Sequence, residues 1–150
     1  MGEAFFYHMT ETPLERTLPV LLARSLERGW RILVRGRDEG RLAWLDERLW
    51  LEPKDSFLPH GRAGGEFDAD QPVLLAPDGH DATGFACLMT LDGAGVTPGE
   101  ISASERTCIL FDGNDQAAVE FARTQWRTLT GAGVQAKYWS DASGKWEQKA

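Results

Sequence analysis

At 150 residues and 42% hydrophobic composition, the chain holds enough apolar side chain for one core and too few residues for a second domain of useful size. Its 23 acidic against 16 basic residues leave a net charge of −7, which opposes non-specific binding to phosphate backbones; contact with nucleic acid would need a local basic patch or an intermediary protein. The two cysteines, Cys87 and Cys108, lie in apolar runs and are too few for a disulfide framework, so they read as buried free thiols in a reducing, cytoplasmic compartment.

No charged leader backed by an apolar stretch opens the chain, and no apolar run reaches membrane-spanning length, which predicts a soluble protein. Ala4 to Met9 reads as a first strand. Thr12-Pro-Leu-Glu15 matches a capping box, with Thr12 as N-cap, and Leu14, Leu18, Leu21, Leu22 and Ser25 follow at helical spacing. Pro19 removes one hydrogen bond from that helix and predicts a kink or a restart; Gly29 ends it. Arg31 to Arg35 is a second strand, and Asp38 caps a second helix whose buried stripe is Leu42, Leu45 and Leu49.

A long loop punctuated by Pro and Gly runs from Glu52 to Gln71. Three further strands are predicted at Pro72–Ala76, Phe85–Leu91 and Thr107–Phe111, with a capped helical turn at Thr97-Pro-Gly-Glu100. A last helix starts near Asp115 and runs to Thr130, a final strand covers Val134 to Trp139, and residues 140–150 read as a polar tail. This alternation predicts one α/β domain over residues 1–150, a Rossmann-like three-layer sandwich with a mostly parallel sheet.

Such a sheet invites a nucleotide, but the motifs that hold phosphate are missing. There is no G-x-x-x-x-G-K-[ST], and Arg35-Gly-Arg-Asp-Glu-Gly40 has two glycines where the dinucleotide fingerprint needs three. His8, His60, His80, Cys87 and Cys108 have no metal-site spacing. Asp55, Ser56 and His60 share a loop without a nucleophile elbow, so no catalytic residue, cofactor or metal is expected; a small α/β enzyme of unknown substrate is the alternative.

Two features exceed what folding requires. In the last helix Arg123 and Arg127 share a face with Trp126 beside them, while Val119, Ala122 and Leu129 make the core-facing set. That pattern fits either a receptor for a partner's carboxylate and apolar side chain, or a solvated basic face with Trp126 half tucked into the core. The other is Trp50 followed by Phe57, Leu58, Pro59 and His60: a loop that either plugs its apolar side chains back into the sheet edge or presents them to a partner.

Phe5-Phe-Tyr7, the block Leu45-Asp-Glu-Arg-Leu-Trp50 with Ser56-Phe-Leu-Pro-His60 and Ala63-Gly64, and Phe121-Ala-Arg-Thr-Gln-Trp-Arg127 together resemble the chi-subunit family of bacterial DNA polymerase III. The likeness spans nearly the whole chain, and the gapped pattern L-D-E-x-L-W … S-F-x-P-H-x-x-A-G is its most specific part. It implies a non-catalytic accessory subunit of the clamp-loader assembly that binds no nucleotide, docks the psi subunit and grips the acidic, phenylalanine-ending tail of single-stranded DNA-binding protein, meeting DNA only through proteins. The resemblance also implies residue roles: Arg123, Trp126, Arg127 and Trp50 for the tail, and Phe57, Leu58, Pro59 and His60 for psi. A monomer that heterodimerises follows from that role. Val119 stands where some members carry a lysine and Trp126 where the family has a tyrosine.

Overall fold

The computed structural model describes residues 2–51, 59–65 and 68–150. Among them, eight strands form one sheet: β1 (Glu3–Met9), β2 (Ile32–Gly36), β3 (Gly61–Arg62), β4 (Val73–Pro77), β5 (Cys87–Leu91), β6 (Arg106–Asp112), β7 (Gln135–Ser140) and β8 (Glu147–Gln148). Four helices accompany them: α1 (Leu14–Glu27), α2 (Glu39–Leu51), α3 (Pro98–Ala103) and α4 (Gln116–Gly131). The strand order is β3-β4-β2-β5-β6-β1-β7-β8, parallel throughout except for β8, which runs antiparallel to β7.

Strand alternation explains the layering. In-register neighbours such as Val34 and Met89 point to one face, where Leu14, Leu18 and Leu22 of α1 and Leu42, Leu45 and Leu49 of α2 cover them. Phe6 and its partner Ile109 point to the other face, beneath Ile101 of α3 and Val119, Ala122 and Leu129 of α4. Both faces being buried, the strands read as continuous apolar runs, as parallel sheets require. The expected Rossmann-like three-layer architecture is present.

Helix starts carry three corrections and confirmations of local chemistry. Thr97 and Glu100 form the full capping box of α3, and Asp38 accepts from the amides of Gly40 and Arg41 at 2.9 and 3.4 Å. Thr12 does not cap α1: Pro13 holds the N-cap place with no side-chain bond, and the Thr12 amide donates to the carboxylate of Asp141. The helix does not restart at Pro19 but runs on through it. The final segment is likewise not a loose tail. Asp141 is buried, β8 pairs with β7, and the Trp146 ring packs edge-on against Tyr7 at 5.5 Å.

One buried cation organises the strand ends. Arg35, 3% exposed, holds Glu100 through two bonds, Nη1–Oε1 at 3.0 Å and Nη2–Oε2 at 2.5 Å. It also donates to the carbonyls of His80 and Gly95. The Arg35 guanidinium is the main cause that keeps the Glu100 carboxyl below its ordinary range, against the opposing effect of burial. Gly113 marks a close approach: a Cβ there would lie 2.1 Å from the His8 ring, so only glycine lets the β6–α4 turn pass.

Candidate functional site

α4 starts at Asp115, whose carboxylate accepts from the amides of Ala117 and Ala118, and it presses Val119, Ala122 and Leu129 into the sheet. Trp126 sits at the edge of that buried stripe. Its indole is half-buried and packs edge-on against Phe6 at 5.2 Å and Tyr138 at 5.9 Å, so its inner edge belongs to the core while the rest faces outward. Arg123 and Arg127 are exposed beside it.

Neither arginine is ion-paired with a described residue; the polar contact of Arg127 is a long 3.5 Å bond from Nη2 to Thr124 Oγ1. Tyr138 completes the patch. Burial raises its phenol above the ordinary value and the Arg123 charge pulls it back, while the hydroxyl bonds His8 Nδ1 at 2.7 Å. The sequence reading missed Tyr138, although its alternate position in β7 put it on the α4 face. Two unpaired guanidinium groups beside a half-exposed indole can bind a carboxylate and pack an apolar side chain at once.

Trp50 does not join this patch. It stands at the end of α2, whose buried stripe packs on the opposite face of the sheet, over β2 and β4, whereas α4 lies over β6 and β7. The expectation that the Trp50 and Trp126 indoles wall one hollow is therefore corrected: the sheet separates them. Trp50 is 53% exposed and its ring lies against His60, with centroids 4.3 Å apart. Leu51 beside it is exposed as well.

His60 is only 3% exposed, with Nε2 at 3.1 Å from both the backbone carbonyl and the carboxylate Oδ1 of Asp46, one turn before Trp50. As a surface contact His60 is thus also corrected: it props the end of α2 from beneath. Pro59 is half-buried, and Phe57 and Leu58 lie outside the described residues.

The first strand-to-helix turn, where doubly wound folds hold phosphate, is filled from within. The Asp141 carboxylate accepts from the amides of Thr10 at 2.6 Å, Glu11 at 3.2 Å and Thr12 at 2.7 Å. Burial alone would raise this carboxyl, but those bonds together hold it below the ordinary range. At the N-terminus of α4, Asp115 occupies the amides in the same way. The donors a phosphate would use are engaged by the chain's own carboxylates.

The family model described as DNA polymerase III chi subunit, HolC, matches residues 1–137. The chain belongs to the DNA polymerase III chi-subunit family. The DNA polymerase III subunit chi of Escherichia coli (strain K12) is 35% identical to it over 63 residues, which cover 42% of this chain and 43% of that protein. That match therefore spans less than half of either protein.

Two features of this chi-family chain bear on chemistry. A cavity of about 460 Å³ opens at the C-terminal ends of β5 and β6, bordered by Arg41, Asp92, Asp112, Asp115 and Phe121. It lies where α/β enzymes keep their substrates. Four of its polar groups serve the fold: Arg41 pairs with Asp92 at 3.3 Å, Asp112 accepts from the Asn114 amide and Asp115 caps α4. Among the described residues, no group of three or more His, Cys, Asp or Glu could hold a metal ion, and no helix is long and apolar enough to cross a membrane. Val119 is buried and faces the core.

Proposed function

We propose that this chain is a non-catalytic, cytoplasmic accessory subunit of the clamp-loader assembly of the DNA polymerase III holoenzyme, linking it to single-stranded DNA-binding protein. Arg123, Arg127 and Trp126, with Tyr138 behind them, take that protein's acidic C-terminal tail. The carboxylates meet the two guanidinium groups and the terminal phenyl ring lies against the indole. The observation that carries this reading is that both arginines stand exposed and without ion partners among the described residues, on a chain of net charge −7.

The test is a titration of labelled tail peptide into the full chain. Replacing both Arg123 and Arg127 by alanine is expected to weaken binding about 30-fold, or about 2 kcal/mol, and raising the salt should weaken wild-type binding as well. Unchanged affinity in the double variant overturns the assignment.

The second partner is the psi subunit. Trp50 belongs with that surface, grouped with Pro59 by its ring contact with His60 and only a few residues before Phe57 and Leu58 in sequence. Phe57→Ala should cost about 2 kcal/mol of affinity for psi, seen as lost co-purification, with the melting temperature unchanged. If the variant unfolds instead, the loop is a plug and the docking role fails. The chain then works as a monomer that heterodimerises, reaching DNA through its partners.

A further inference from the structure

The cavity at the C-terminal ends of β5 and β6 is bordered by polar groups that the fold does not take up. Thr90 lies on its floor: its register partner Ile109 packs beneath α4, so the Thr90 side chain leaves the sheet on that same face. Thr90 is 2% exposed, and its hydroxyl makes no hydrogen bond with a described residue. It is not one of the sealed polar atoms that lack a partner, which are Thr17 Oγ1 and Trp139 Nε1, so it stays open to the cavity it borders.

Gln125 stands half-buried on the α4 wall, one turn after Phe121, and its amide is likewise without a partner among the described residues. Arg37 and Phe121 meet at the mouth. A Cβ on Gly93 would lie 3.5 Å from Arg37 Nη1 and 3.8 Å from Phe121 Cδ2, so guanidinium and ring approach the same bare stretch of backbone. Phe121 is 42% exposed and makes no ring contact with a described residue; Arg37 is exposed and forms no ion pair or hydrogen bond with one.

These groups define what would complete them. A hydroxyl and a primary amide both donate and accept, so the ligand carries donor and acceptor together. A phenyl ring and a guanidinium are flat and stack on flat partners. Charge selects neither an anion nor a cation, because three aspartates and two arginines border the cavity and all but Arg37 are engaged. Asp115 holds the α4 amides that a phosphate would need. The volume of about 460 Å³ lies within the range of small-molecule sites.

We propose that this cavity binds an uncharged nucleoside. Its base lies against Phe121 beside Arg37, and the polar edge of the base meets the Thr90 hydroxyl and the Gln125 amide. The site is separate from the tail patch: Phe121 and Gln125 face the β5 turn, whereas Trp126 leans on Tyr138 of β7.

The probes are adenosine and cytidine, titrated into the ¹⁵N-labelled full chain while the backbone amides of Thr90 and Gly93 and the side-chain amide of Gln125 are followed. Saturable shifts with a Kd of about 1 mM are expected for at least one of them, and its 5′-monophosphate should gain no more than about twofold. Thr90→Val removes a hydroxyl that the chain itself does not use, so the melting temperature should hold while the nucleoside binds about fivefold more weakly. Phe121→Ala, at an exposed position, should weaken it about tenfold. The proposal is overturned if these resonances stay still to about 10 mM of both probes, the result if only water fills the cavity. It is overturned too by a larger gain from the phosphate, or by affinity that neither substitution reduces. Shifts that gather instead at the Trp126 indole N–H would put the ligand on the tail patch and overturn it as well.

Discussion

Replacing Arg35 by alanine is expected to lower the unfolding free energy by about 4 kcal/mol, through loss of its bonds to Glu100, His80 and Gly95 and the space left behind. For a chain of this size that is a drop of roughly 10 °C in melting temperature. Arg35→Met, which fills the space without the charge, should cost less, whereas Glu100→Gln leaves the buried Arg35 cation without its counter-ion and should cost more than Arg35→Met. A double-mutant cycle on the two should return a coupling energy above about 1.5 kcal/mol. Arg35→Ala lying within about 1 kcal/mol of wild type would show that the strand ends hold together without this cation.

Asp141→Ala comes next, with an expected loss of about 3 kcal/mol, because three amides of the turn between β1 and α1 lose their common acceptor in a buried setting. Its pH dependence can be given a sign. The folded state holds the Asp141 and Glu100 carboxyls below their ordinary values of 3.8 and 4.5. As pH falls, the unfolded chain therefore binds these protons first. The stability they contribute is complete above the ordinary carboxylate range and drains away as pH drops through the lower folded-state values. Denaturant melts from pH 7 down to pH 2 check this: Asp141→Ala should flatten the acid limb as well as lowering the plateau. An acid limb as steep as the wild type's would mean that Asp141 does not titrate in this way.

These two residues show where sequence reading stops. Leu42, Leu45 and Leu49, the Thr97–Glu100 box and the Asp115 cap all act within one or two turns of chain, so spacing alone located them. Arg35 looked like part of a strand-to-helix turn, since nothing near it in sequence announces Glu100. Asp141 looked like the start of a polar tail, since its donors lie some 130 residues away. Thr12 reads as a cap because the local motif is sound, but the N-cap place falls one residue later at Pro13, and the Thr12 amide is bonded to Asp141.

The candidate site divides along the same line. Arg123, Trp126 and Arg127 sit within five consecutive residues of one helix, and helical periodicity placed them together. The residues themselves thus determined the α/β class, the alternation of elements, the core stripes of the helices and the cationic edge of α4, because each depends on a repeat of 2 or 3.6 residues that neighbouring side chains express. Only the tertiary structure decided that Trp50 and Trp126 stand on opposite faces of the sheet and that Tyr138 joins the arginine patch. It alone showed that a carboxylate from the chain's own end fills the place a phosphate would take. Strand order and crossing direction control those meetings, and neither leaves a periodic trace in the sequence.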